Sequence, residues 1–209
     1  MRCNCIDKVI VSNNNPDHRI HDWVKLSDSR ICLIDQDQHR LCGYRWEIAK
    51  SEPGEYFLAV DDDVFLYPKQ LTKLFAHLLN KPQVPHGAVG SCYDLNKGKK
   101  NGHLAYRYCK YQESHVDVLH QVYAVTKQQV KKYFNNLKYA KKVGVIESAQ
   151  IVRFGDDIVM SQTGASPAVI HDLGYLLECP SMNLKGVANY LEPGFYSFRD
   201  KLFMSLQKR

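Results

Sequence analysis

Three consecutive carboxylates, Asp61-Asp62-Asp63, follow a five-residue apolar run, Tyr56-Phe57-Leu58-Ala59-Val60. Like charges this close repel one another, so the triplet is costly unless a cation or hydrogen-bond donors meet it. Carboxylate oxygens are hard ligands that suit Mg2+ or Mn2+. On an extended chain alternate side chains share a face, so Asp61 and Asp63 point together and Asp62 points away. That spacing fits one divalent ion with a phosphate among its other ligands. The competing reading is a turn that caps the next helix, and Pro68-Lys69-Gln70-Leu71 does read as a helix start. Capping needs one acid, not three.

A second acidic pair lies in Phe154-Gly155-Asp156-Asp157-Ile158-Val159-Met160. Acids at a helix N-terminus are stabilised by the dipole and by free backbone amides, which accounts for one of the two. The other is available as a base, a nucleophile or a group that positions a transferred sugar.

The elements that must position these acids emerge from periodicity. The run 56–60 reads as an interior strand of a mostly parallel sheet. Ligands in such sheets bind beyond the carboxyl ends of the strands, where the triplet would sit. Short strands are expected over 6–12 and 31–34, and helices over 41–51 and 68–79. Leu41, Tyr44 and Ile48 share one face of the first helix, with Tyr44 and Trp46 in the core. A strand is expected over 88–92, then a basic, mobile surface loop over 94–102. Strands over 104–108 and 116–124 lead to a helix over 126–137 with Thr126 as its N-cap. A helix starts at Gly155-Asp156-Asp157, and strand and loop resume at Ala168 and run past His171. This alternation argues for an α/β fold. At 209 residues, with no linker or repeat, one domain spanning 1–209 is expected.

Composition narrows the function. The chain is 44% hydrophobic and 24% charged, as soluble globular proteins are. No stretch approaches the ~20 apolar residues of a membrane span. Its seven cysteines, at 3, 5, 32, 42, 92, 109 and 179, form no Cys-x-x-Cys pair, which suits the reduced thiols of a cytoplasmic protein. The net charge of +6 comes partly from short lysine clusters near 97–100, 131–132 and 138–142. Such clusters are solvated faces, or peripheral contacts with an anionic membrane surface. No recognition motif accompanies them, so nucleic acid is not expected as a partner.

The ordered pair of motifs, strand-Asp61-Asp62-Asp63 and then Gly155-Asp156-Asp157-Ile-Val-Met, resembles GT-A type glycosyltransferases, and most of all the exostosin-like family. The resemblance runs from about Ile6 to Met160 and implies a Rossmann-like, mixed, mostly parallel sheet flanked by helices. It implies that Asp61 and Asp63 hold Mn2+ or Mg2+ on the diphosphate of a nucleotide sugar, a UDP-sugar, with Asp62 on the nucleotide side. Arg45, on the preceding helix, would contact the nucleotide, and Asn14 and Asn15 would touch the donor. Asp157 or Asp156 would lie beside the anomeric carbon, and Arg199 would reach the diphosphate; its bland reading is a surface salt bridge. His171 would complete the metal shell. His86 would line the acceptor side or hydrogen-bond its turn. The acceptor would be a glycan or another hydroxyl compound, with the sugar transferred with retention; in the broader inverting group, Asp156 or Asp157 would be the base. The first strand and helix usual in the family have no counterpart here, which implies a truncated N-terminus or a reduced domain. Two rivals stand beside this reading: a reduced GT-A domain that binds nucleotide or glycan without turnover, and a Mg-dependent nucleotidyltransferase.

Overall fold

The computed structural model describes residues 3–100, 102–143, 148–184 and 189–208. The strands are β1 (Val9–Asn13), β2 (Ile31–Asp35), β3 (Tyr56–Val60), β4 (Val64–Phe65), β5 (His86–Tyr93) and β6 (Lys99–Lys100), then β7 (His103–Leu104), β8 (Tyr106–Lys110), β9 (Ser114–Val116), β10 (Val118–Thr126), β11 (Ala168–Ile170) and β12 (Leu177–Glu178). The helices are α1 (Ile20–Trp23), α2 (Tyr44–Ser51), α3 (Pro68–Asn80), α4 (Lys127–Lys142), α5 (Ser148–Phe154), α6 (Asp156–Ser161) and α7 (Phe195–Gln207). The fold is mixed α/β.

The central sheet has the order β3-β10-β5-β11-β9, with β8 also paired to β5. Only β5 and β11 run parallel; β3–β10, β10–β5, β5–β8 and β11–β9 are antiparallel. This corrects the expected mostly parallel sheet. β10 lies between β3 and β5 and runs against both. The correction has a physical cause. Phe57 and Ala59 pack on one core and Leu58 on another, because side chains alternate across the strand. A strand covered by helices on both faces is apolar throughout, whatever the direction of its neighbours. β3 is also an edge of this sheet among the described residues, with Tyr56 and Val60 exposed.

The larger core holds Trp46, Tyr133, Leu119, Ile158, Leu202 and Phe203, drawn from α2, α4, β10, α6 and α7. The smaller one gathers Val64, Leu74, Leu78, Val89 and Leu176 beneath α3. β1 and β2 form a separate parallel pair. The region 94–102, expected as a mobile loop, carries a 3-10 turn over Leu95–Lys97 capped by Asp94, whose side chain accepts from Lys97 N, and then enters the β6–β7 hairpin. Thr126 caps α4 as expected and completes a capping box with Gln129. Lys127 Nζ donates to the carbonyls of Ala49, Lys50 and Glu52, tying the end of α2 to the start of α4. No helix among the described residues is long and apolar enough to cross a membrane.

β10 carries a backbone irregularity at the edge of the cleft. Register slips between His120 and Tyr123, and Gln121 adopts φ +61°. A left-handed residue in mid-strand is a strained bulge of the kind that re-aims neighbouring side chains.

Candidate active site

A cleft of about 330 Å3 opens where β3 and β5 end, the β10 bulge turns, and α2, α6 and α7 converge. Its lining includes Arg45, Asp61, Asp63, Asp156, Asp157 and Arg199. Six of the residues singled out in the sequence therefore meet, although they come from separate segments.

The bulge fixes the first acid: Asp61 N donates to Gln121 O at 2.8 Å. Arg45, at the start of α2, donates through Nη1 to Asp61 Oδ1. Its Nε lies 3.7 Å from Asp156 Oδ2, and its guanidinium stands 5.6 Å above the Tyr123 ring. Arg45 is thus a bridge between the two acidic motifs, not a solvated helix residue. Asp63 is different. Its Oδ1 is buried with no hydrogen-bond partner among the described residues. Burial first, then the neighbouring charges of Asp61 and Asp62, push its carboxyl up to about 6. Asp62, expected on the nucleotide side, is exposed and lies outside the lining, because β3 ends at Val60 and residues 61–63 leave it in a turn, with Val64 N donating to Asp61 O at 3.3 Å.

Asp156 and Asp157 open α6, and adjacent positions give them opposite surroundings. Asp156 Oδ2 accepts from Trp46 Nε1 at 3.3 Å. Burial raises its carboxyl, as do Asp157 and Asp61, with Arg45 acting against them. Burial would raise Asp157 too, but Arg199 and His120 override it and hold that carboxyl well below the usual range. Arg199 grips Asp157 with both arms, Nη1 to Oδ1 and Nη2 to Oδ2, each at 2.7 Å. This is the strong, planar fork that guanidinium and carboxylate favour. Arg199 is 7% exposed, so the surface salt bridge that its sequence context suggested is a buried clamp instead. Dipole stabilisation by the helix end is present as well, since Ile158 N donates to Asp157 Oδ1 at 2.8 Å.

Besides Asp62, three expected site residues stand elsewhere. Asn14 and Asn15 do not line the cleft. Asn14 Oδ1 accepts from Ser12 Oγ, and Asn15 Oδ1 from Asp17 N, so both serve the turn after β1. His171 is not brought to Asp61 and Asp63. It follows β11 and contacts Glu113, His86 and His77. The short β11 pairs with the start of β5, whereas the cleft lies at that strand's end. Burial, and then the adjacent His77, lower the His171 ring to about 4, against the opposing pull of Glu113. His86 is bonded to the Lys81 carbonyl and to His171, away from the cleft.

Among the lining residues absent from the sequence expectations are His120 and Gln121. His120 Nδ1 lies 3.2 Å from Asp157 Oδ2, and His120 Nε2 lies 2.6 Å from Ser91 Oγ. His120 thereby joins β5 to α6 across the floor of the cleft. Gln121 also faces the cleft, with a buried Oε1 that has no partner among the described residues. The sequence does carry a signal for both. His120-Gln121 places two successive polar residues inside the apolar run Val118-Leu119…Val122-Tyr123, and such a break in two-residue alternation marks a bulge.

The residues present fit a hard cation. Asp63 lines the cleft with Asp61 and offers an unpartnered carboxylate oxygen in a locally negative setting. The chain matches no protein-family model and no curated protein.

Proposed function

We propose that this protein is a metal-dependent glycosyltransferase that moves a sugar from a UDP-sugar to a hydroxyl acceptor. The observation that carries the reading is convergence. The Asp61–Asp63 and Asp156–Asp157 motifs, 95 residues apart by 156 − 61, share one cleft and one arginine, Arg45. Asp63, with Asp61, would hold Mn2+ or Mg2+. The ion would supply Lewis-acid neutralisation of the departing diphosphate. Arg45 and Arg199 add fixed positive charge beside it, and Gln121 Oε1 offers an acceptor for a sugar or ribose hydroxyl.

We read the transfer as retaining, and the clamp excludes Asp157, though not the raised Asp156, as an inverting base. A carboxylate held ionised by a bidentate guanidinium takes up a proton poorly, so it is a weak general base. It is better suited to stabilising positive charge that develops at the anomeric carbon during departure. His120 also contacts Asp157 Oδ2, the oxygen that Arg199 Nη2 holds.

Calorimetric titration of UDP, with Mn2+ and then with EDTA, tests the donor site. Binding is expected with the metal and is expected to vanish with EDTA or in Asp63→Ala. UDP binding that ignores both would sink the reading. NMR assignment of the product anomer tests retention, and an inverted product would overturn that part alone.

A further inference from the structure

Four side chains meet near the other end of the sheet. His86 opens β5, His171 follows β11, His77 lies in the last turn of α3, and Glu113 precedes β9. None of them lines the cleft. His86 and His171 are 1% and 4% exposed. His86 Nε2 lies 2.8 Å from Lys81 O, His86 Nδ1 lies 2.8 Å from His171 Nε2, and His171 Nδ1 lies 2.6 Å from Glu113 Oε2. The His77 ring stacks on His171 with centroids 3.7 Å apart and planes at 13°.

The row is one proton short. It ends on a carbonyl at one side and a carboxylate at the other, and both only accept. Each of its three contacts needs a hydrogen between the atoms, while two neutral imidazoles carry one each. An added proton would create an imidazolium in a buried position with another imidazole stacked on its face, and burial disfavours the charged form. A bound cation would supply the missing positive charge without that proton. Only the Glu113 end gathers enough ligands for one: atoms of His77, Glu113 and His171 all lie within 4.8 Å of one another.

We propose that His77, Glu113 and His171 form a divalent transition-metal site suited to zinc, separate from the acidic cleft. Imidazole and carboxylate together are a zinc ligand set. His171 binds through Nδ1. Its Nε2–H then donates to His86 Nδ1, and His86 Nε2–H donates to the Lys81 carbonyl. Every hydrogen in the row is now accounted for. A ligating histidine whose other N–H is fixed by a buried acceptor is the usual outer-shell arrangement. Two parallel stacked rings cannot both aim an in-plane nitrogen at one ion, so the partly exposed His77 turns out of the stack to ligate, and Glu113, with 55% of its side chain open, moves outward to make room. The site ties the end of α3 to the segments that flank β9 and β11, and it leaves a fourth position for water.

The test uses the full chain, stripped with EDTA and titrated with Zn2+ by calorimetry, with Co2+ absorption as a second readout. Wild type and Asp63→Ala are both expected to bind one equivalent of Zn2+ and to gain thermal stability. Co2+ is expected to give the intense visible bands of a four-coordinate ion. Glu113→Gln and His77→Gln are expected to weaken Zn2+ by more than the roughly 10–100-fold that loss of an outer partner costs. Glu113 is exposed, so its variant tests the site without risk to folding. The proposal fails if wild type takes up no Zn2+. It fails equally if both glutamine variants bind as wild type does, or if Asp63→Ala alone abolishes binding.

Discussion

At the cleft, Asp157 is gripped by both arms of Arg199, and Asp61 is held by Arg45. At the other end of the sheet, His86 and His171 are buried, and Glu113 is the charged side chain that hydrogen-bonds His171. The cleft answers its negative charge with two arginines and keeps one oxygen, Asp63 Oδ1, without a partner among the described residues. The histidine row is built without an arginine and lacks a proton. The difference teaches where each region is finished and where it waits. A clamped carboxylate is structurally complete, so it positions a ligand. An unpartnered oxygen or an unfilled hydrogen bond is incomplete, so it defines where a ligand must bring charge.

The comparison can be broken hardest at Arg199. Arg199→Met leaves Asp157 buried without its guanidinium, with only His120 and Ile158 N as partners, and is expected to cost about 3 kcal/mol in urea unfolding. A loss below about 1 kcal/mol would mean that the clamp is not a closed unit. Acid should act on the same pair. The folded Asp157 carboxyl lies below its unfolded value of about 3.9, so its stabilisation is complete above that pH and fades as pH falls below it. Asp157→Asn should flatten this part of the acid-unfolding curve.

A smaller effect, of opposite sign, is expected at Asp63. Its folded carboxyl is raised to about 6, so between about 4 and 6 the native chain holds more proton than the unfolded one, and stability grows as pH falls. Asp63→Asn should therefore stabilise the metal-free protein at pH 7.5, by about 1 kcal/mol once solvent screening is allowed for. The gain should shrink at pH 5, while Mn2+-dependent UDP binding is lost. In wild type that binding should weaken as pH falls through about 6, not near 4. Smallest of all, Glu113→Gln in the zinc-free chain should change stability by less than about 0.5 kcal/mol. A large loss there would show that the histidine row is complete without metal.

Much of this was legible in the sequence, and the exceptions have causes. Asp61, Asp63, Asp156 and Asp157 stand out because clustered carboxylates are expensive anywhere without a purpose. α3 and α4 are readable from Pro68 and from the Thr126–Gln129 capping box. The direction of β3 was not readable, because Phe57, Leu58 and Ala59 report which faces are covered and not which way β10 runs. His171 was misplaced for a related reason. A histidine after a strand can face either end of the sheet, and β11 pairs with the start of β5. The role of Arg199 depends on a partner 42 residues away, beyond the reach of local pattern.

That separation has a consequence in time. Trp46 meets Asp156 across 110 residues, and Asp157 meets Arg199 across 42. Contacts this distant close late, because the intervening chain must first give up its freedom. During synthesis at about 5–20 residues per second, Asp157 exists for roughly 2–8 s before the codon for Arg199 is translated. A growing chain therefore carries both acidic motifs before it can assemble the cleft, and α7, made after both, brings the clamp that completes it.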